Sequence, residues 1–222
     1  LKTKTMKKIR CENKSLFRQI AKERLSKLGN VYKRDKVISQ QLLDIIEQLK
    51  PRSILLYLPL AMEPNIATVI HACRKKHEVF VPFMEGISFK MVKYRLPLYV
   101  KRFNIKEPKN SLVKKNKVDL AIVPIIGVDG ALKRIGFGKG MYDRFFDSLD
   151  TKPIVIFVQR TMCATPALLG EEHDITANIY LTPYHIITQR GHDGLRITSG
   201  RSSGSKRRCR VFHRQKDGSG QL

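Results

Sequence analysis

Between residues 14 and 190 the apolar positions change period several times, and each change marks an element. Residues 14–28 and 32–49 read as helices. In the second, Val37, Ile38, Leu42, Ile45, Ile46 and Leu49 recur at three- and four-residue steps, and Pro51 follows its end. "SILLYLP" (53–59) is then a short, near-continuous apolar run, the pattern of a strand buried on both faces. Helical spacing returns in "NIATVIHACRKK" through Ile66, Val69, Ile70 and Cys73, and "EVFVPF" and "SFKMVKYR" read as strands. Residues 96–117, rich in Pro, Lys and Asn, read as loop. "DLAIVPIIGV" is the strongest strand, followed by a glycine-rich loop and a helix over about 140–149. "PIVIFV" and "ITANIYLTP" supply two more strands. Strands alternating with helices, the central ones apolar throughout, predict a single α/β domain: an open, mainly parallel sheet layered with helices. Ligands of such sheets bind where strands run at their carboxyl ends into the next helix. The glycine-rich loop is expected at that position.

Charge refines this picture. Against 43 Lys and Arg stand 19 Asp and Glu, a net +24. Residues 14–190 keep +14 of it, so the predicted domain favours anionic ligands: nucleotides, polyglutamates or nucleic acid. Residues 1–13 are expected to be a flexible basic segment. Residues 191–222, rich in Gly, Ser and Arg and nearly without apolar periodicity, are expected to form a disordered basic tail. The four cysteines lack C-x-x-C or metal-ligand spacing, which argues against a disulfide framework and a structural zinc site. The amino end has no apolar leader core, and the longest apolar runs are half a membrane span, so a reduced, cytoplasmic protein with no membrane contact is expected.

The candidate chemistry centres on "LKRIGFGKGMYDRFF", 132–146. It is not a Walker loop, because Gly140 rather than Ser or Thr follows Lys139. Nor is it a dinucleotide fingerprint: Gly136, Gly138 and Gly140 follow G-x-G-x-G, with no acidic residue about 20 positions further on. Alternate glycines nevertheless let backbone amides approach an anion, and the helix that follows offers its positive end. Lys133, Arg134, Lys139 and Arg144 add charge, while Asp143 is placed to cap the helix or to hold a hydrated Mg²⁺. Spacing alone leaves a phosphate cradle and an exposed turn both open. Lys14 and Arg18 share a helix face at i and i+4; Glu63 follows a strand in "LPLAMEPN"; "GEEHDIT" clusters Glu171, Glu172, His173 and Asp174. Each also reads as solvated surface or turn.

In this order the pieces resemble the 5-formyltetrahydrofolate cyclo-ligase family, the 5,10-methenyltetrahydrofolate synthetases. "RIGFGKGMYD" matches that family's glycine-rich signature, "KSLFR" its basic amino-terminal helix, "PLAMEPN" its Pro-x-x-x-Glu-type segment and "EEHDITANIYLTP" its acidic turn leading to Thr-Pro. The resemblance covers about residues 14–185. It implies an open three-layer α/β/α domain that uses ATP and Mg²⁺ to close 5-formyltetrahydrofolate, free or polyglutamylated, into 5,10-methenyltetrahydrofolate, releasing ADP and phosphate. By the same resemblance Lys14, Arg18 and the run Arg134, Ile135, Gly136, Phe137, Gly138, Lys139, Gly140, Met141 and Tyr142 would bind the nucleotide. Leu56 and Glu63 would meet the folate together with Gly138 to Met141. Lys139, Arg134 and Tyr142 would be catalytic, and Asp143 with Asp174 would hold the metal. A monomer is implied. Met141 stands where the family usually has Tyr, and Asn65 where an acidic residue is common. Two other classes compete: a nucleic-acid binder using the basic surface and tail, and an α/β phosphosugar isomerase or acyl-transfer enzyme. The tail offers only Phe212 as an aromatic partner for bases, which limits nucleic acid to non-specific contact.

Overall fold

The computed structural model describes residues 9–101, 105–110 and 115–189, and the backbone of Arg210–Val211. Five parallel strands form its centre: β1 (Ser53–Leu55), β2 (Glu78–Glu85), β6 (Leu120–Pro124), β9 (Ile154–Val158) and β10 (Ile179–Thr182). Their spatial order is β10-β9-β6-β1-β2. Antiparallel strands β3 (Ser88–Lys93) and β11 (His185–Thr188) close the two sides, and Arg210–Val211 (β12) pairs with β11 at the edge. From β1 the chain first winds outward to β2, then crosses back to β6 on the other side of β1. That reversal makes the carboxyl ends of β1 and β6 a topological switch point, where open α/β sheets bind ligands.

Strand alternation assigns the side chains to two layers. Ile54, Leu56, Leu120, Ile122, Ile156, Val158, Ile179 and Leu181 pack with Ile38, Leu42, Ile45 and Ile46 of α2 (Val31–Leu49) and with Val69, Ile70 and Cys73 of α3 (Ala67–Cys73). Their neighbours Leu55, Ala121, Val123, Val155, Phe157 and Tyr180 face the opposite layer, with Phe145 and Phe146 of α4 (Met141–Asp147). Both faces are covered, which is why the strands read as unbroken apolar runs. Helix α1 (Lys14–Ser26) is capped by Asn13, whose Oδ1 accepts the Leu16 N–H at 2.9 Å. It buries Phe17, Ala21 and Leu25 beside Ile126 and Ile135 in a third cluster outside the sheet. Ile9, inside the segment expected to be flexible, is 3% exposed in that cluster, and its N–H donates to Ala164. Residues 1–8 and the expected disordered tail, apart from Arg210–Val211, lie outside the described residues.

Three expectations change. The helix expected over "NIATVIHACRKK" covers only Ala67–Cys73. The loop expected over 96–117 includes a short ribbon, β4 (Tyr99–Val100) against β5 (Lys106–Glu107). Most consequentially, the glycine-rich loop does not leave the strongest strand directly. β6 stops at Pro124, and a ribbon of β7 (Gly127–Val128) and β8 (Arg134–Ile135) intervenes. Asp129 organises this ribbon: its Oδ1 accepts the N–H groups of Ala131 and Lys133, and its Oδ2 those of Leu169 and Gly170. Arg134 and Ile135 therefore belong to a strand.

Candidate active site

Past β1 the chain runs without regular structure to α3, and a tight turn in it presents Glu63. The Glu63 N–H donates to the Leu60 carbonyl at 3.0 Å, while Glu63 Oε2 accepts the Leu60 N–H at 2.9 Å. The Tyr57 hydroxyl donates to the Pro64 carbonyl at 2.7 Å and closes the far side. Glu63 is 6% exposed, and burial pushes its carboxyl up to about 7, against the opposing pull of the Leu60 N–H, Arg134 and Arg160. Burial, then the charge of Glu63, raises the hydroxyls of Tyr57 and Tyr142 above their ordinary range. Groups from four parts of the chain thus bear on one buried carboxyl.

Arg134 runs from β8 beneath the glycine-rich loop. Its Nη1 lies 3.3 Å from Asp143 Oδ2, its Nη2 donates to the Pro124 carbonyl at the end of β6, and its guanidinium sits 4.9 Å from the centre of the Tyr142 ring. Its buried Nε has no partner. A Cβ at Gly136 would stand 2.3 Å from Arg134 Nη1, so this glycine is what lets the loop lie over the guanidinium. Gly138 (φ 103°) and Gly140 (φ 59°) take the left-handed region open to glycine, turning the loop into α4. From α1, Arg18 Nε donates to the Gly136 carbonyl at 2.8 Å. Lys14 reaches Glu171 at 2.7 Å and Asp174 at 2.6 Å. Burial opposes the charge of Lys14, but these two partners outweigh it and raise its pKa.

Two cavities meet at this loop. One, of about 280 Å³, is mostly apolar; Tyr57, Leu58, Pro82, Met84, Phe89, Phe137, Met141 and Tyr142 line it, with Glu63, Arg134 and Lys139 as its charges. The other, of about 250 Å³, is polar and collects Lys14, Arg18, Arg134, Gly136, Gly138, Asp143, Glu171, His173 and Asp174. Arg134 and Gly140 line both. Three cations beside glycine backbone suit a polyphosphate, and the unpartnered Arg134 Nε adds a donor in want of an acceptor. Among the described residues no group of three His, Cys, Asp or Glu is arranged to hold a metal alone. Mg²⁺ takes one or two protein carboxylates and completes its shell with phosphate oxygens and water, a demand Asp143 and Asp174 can meet.

The sequence-derived site residues separate between these cavities. Lys14, Arg18, Arg134, Gly136, Gly138, Gly140, Asp143 and Asp174 gather at the polar one, whereas Phe137, Lys139, Met141 and Tyr142 line the apolar one. Leu56 and Ile135, both fully buried, line neither. Leu56 points into the α2 layer, leaving the wall to Tyr57 and Leu58, and Ile135 packs beside Phe17. Arg144, counted among the loop's charges, donates instead to the Ile87 carbonyl (3.2 and 2.5 Å) and to that of Lys139 (2.5 Å). Asp143 does not cap α4; Gly140 is the N-cap, with no side-chain hydrogen bond. Pro82, Met84 and Phe89 join the site unforeseen. Their signal was the strand alternation of "EVFVPFME" and "SFKMVK", but which face would meet a ligand depended on the fold.

A model of the 5-formyltetrahydrofolate cyclo-ligase family matches residues 2–183. The chain belongs to that family. It is 30% identical over 76 residues to a Mycoplasma genitalium 5-formyltetrahydrofolate cyclo-ligase, a match covering 33% of this chain and 46% of that protein's length. With the Haemophilus influenzae 5-formyltetrahydrofolate cyclo-ligase it shares 24% identity over 145 residues, 61% of this chain and 78% of the relative. The solved structure of Aquifex aeolicus 5,10-methenyltetrahydrofolate synthetase superposes with a TM-score of 0.67 at 24% identity, covering 86% of this chain and 96% of that one. That likeness extends the cyclo-ligase fold across the sheet described above. Membership also implies use of a nucleotide.

Proposed function

We propose that the protein couples ATP cleavage to cyclisation of 5-formyltetrahydrofolate, giving 5,10-methenyltetrahydrofolate, ADP and phosphate, with Mg²⁺ as the metal of the nucleotide. The observation that carries this reading is a shared wall: one glycine-rich loop borders a polar cavity of three cations and three carboxylates on one side and an apolar cavity containing Glu63 on the other. A formyl oxygen bound to carbon is a poor leaving group. Transfer of the terminal phosphoryl group of ATP to that oxygen converts it into phosphate. N10 then attacks the formyl carbon and loses its proton, the five-membered ring closes, and the C–O bond breaks as phosphate departs. Such transfer is promoted by positioning and charge neutralisation more than by a protein nucleophile.

Lys14, Arg18, Arg134 and the glycine amides hold the phosphates. Asp143 and Asp174 hold Mg²⁺, which supplies charge neutralisation at the transferred group. Lys139, Arg134 and Tyr142 border the reacting end of the apolar cavity, and the walls of Met84, Phe89 and Met141 exclude water from it. Glu63 accepts a pterin N–H in its ionised form. The +14 on residues 14–190 suits a glutamate-tailed folate, including polyglutamylated forms. Cys11, Cys73 and Cys163 are free thiols, which supports a reducing cytoplasmic setting. No described helix is long and apolar enough to cross a membrane. We take the working unit to be a monomer, with nucleic acid limited to non-specific contact through the basic tail.

ADP release should depend on the folate: with ATP and Mg²⁺ alone the protein should be nearly silent, and adding 5-formyltetrahydrofolate should start turnover. Equal ADP release with and without folate would overturn the assignment. Gly136→Ala should lower kcat about 10²-fold by pushing the Arg134 guanidinium off Asp143 and Pro124. Steady-state kinetics beside a thermal melt checks this; wild-type kcat in a folded variant would show that the position of Arg134 is not critical.

A further inference from the structure

We propose that Arg160 is a positioning residue for the folate-facing side of the site, holding through the Ala61 carbonyl, and braced by Asp35, the turn that carries Glu63. The inference rests on the functional reading above. Arg160 lies two residues beyond β9. Its Nε and Nη2 donate to the two carboxylate oxygens of Asp35 at 2.8 and 2.9 Å, the bidentate geometry that fixes a guanidinium plane. The remaining arm, Nη1, donates to the Ala61 carbonyl at 2.9 Å. One side chain thereby joins α2, the end of β9 and the irregular segment after β1.

The base of the arm is fixed as well. The Arg160 N–H donates to Gln159 Oε1 at 2.7 Å, and the fully buried Gln159 side chain donates in turn to the Ile125 carbonyl, just past β6. A relay of hydrogen bonds thus runs from the switch point to the middle of the Leu60–Glu63 turn. Arg160 and Asp35 are 9% and 7% exposed. A buried ion pair is a poor way to gain stability, since apolar residues of similar volume usually serve as well. What it adds here is placement, in a segment with no helix or strand of its own. Glu63 is faced by Tyr57 from the end of β1, Arg134 from β8, Tyr142 from α4 and Arg160 from beyond β9, with Lys139 on the wall of the same cavity.

The test compares the full-length wild type, Asp35→Asn and the double variant Asp35→Asn/Arg160→Met. Calorimetry would measure the affinity of each for 5-formyltetrahydrofolate between pH 5.5 and 8.5, and for a non-hydrolysable ATP analogue. The double variant leaves no lone buried charge and is expected to fold. Losing the Ala61 tether should weaken its folate binding about tenfold or more and move the midpoint of the pH profile upward, with nucleotide affinity within twofold of wild type. Asp35→Asn keeps the tether but leaves Arg160 uncompensated: folate affinity should stay within threefold, and the midpoint should move downward. Wild-type folate affinity in the double variant, or equal loss of folate and nucleotide, would overturn the proposal. If the double variant melts without cooperativity, Arg160→Lys takes its place, keeping the charge beside Asp35 but losing the planar fork that also reaches Ala61: selective loss of folate affinity supports the proposal, and wild-type folate affinity overturns it. A wild type that binds nucleotide but no folate would instead overturn the functional reading, and this inference with it.

Discussion

Asp143→Asn is expected to cut turnover about 10²–10³-fold, some 3–4 kcal/mol of lost transition-state stabilisation, in a protein that still folds. Two roles converge on this carboxylate. It is the polar cavity's buried acidic group on α4, and it is the ion-pair partner of Arg134 at 3.3 Å. Asn keeps the volume, and its one amide oxygen still accepts from Arg134; its NH2 then takes the place of Oδ1 and loses only the long 3.5 Å contact from the Ile175 N–H, so the fold should survive. It no longer offers an anion to the metal. The two roles separate in a magnesium titration. If Asp143 is a metal ligand, the concentration of Mg²⁺ giving half-maximal rate should rise at least tenfold. Near-wild-type turnover with an unchanged Mg²⁺ requirement would leave Asp143 only as the counter-ion of Arg134.

Glu63→Gln should have opposite effects on stability and on function. The Glu63 carboxyl, pushed up to about 7 by burial, keeps its proton where the same group in the unfolded chain, with an ordinary value of 4.5, has lost it. Between those values the folded state binds more protons, so this group's contribution to stability is intact below about pH 4.5, falls as pH rises and is gone above about pH 7. The full span is worth about 3 kcal/mol. Gln does not titrate, so the difference between variant and wild type should grow in favour of the variant across that window and then level off. Folate affinity should fall about tenfold or more, because the pterin loses an anionic acceptor. Melting curves from pH 4.5 to 8 read the first effect and calorimetry the second. A difference in stability that stays constant across the window would show that Glu63 ionises as readily when folded as when unfolded.

The sheet was legible because burial on both faces makes its strands apolar throughout, and Leu120–Pro124 and Ile154–Val158 stand out in any window. The β7–β8 ribbon was not. Its strands are two residues each, "GVDGALKRI" carries turn residues, and pairing Gly127 with Ile135 is a tertiary event. Placing Arg134 in β8 changes its chemistry, since a loop arginine is solvated whereas this one is buried between Pro124, Asp143 and Tyr142. Leu56 lies one residue of alternation away from the apolar cavity, which Tyr57 lines in its place. Arg160 gave no signal, because an arginine after an apolar run reads as a solvated strand end. Its partner Asp35 lies 125 residues away. The positive φ at Gly138 and Gly140 was readable from their spacing, because few other residues tolerate it.

The most direct measurement is a single-turnover reaction of the full chain with Mg²⁺, 5-formyltetrahydrofolate and limiting ATP. The near-ultraviolet absorbance of the methenyl product and the release of ADP would be followed together. If the glycine-rich loop is the shared wall of a nucleotide site and a folate site, one methenyl product should appear for each ADP, and neither without both substrates. ADP formed with no methenyl absorbance, or absorbance formed with no ATP, would contradict it.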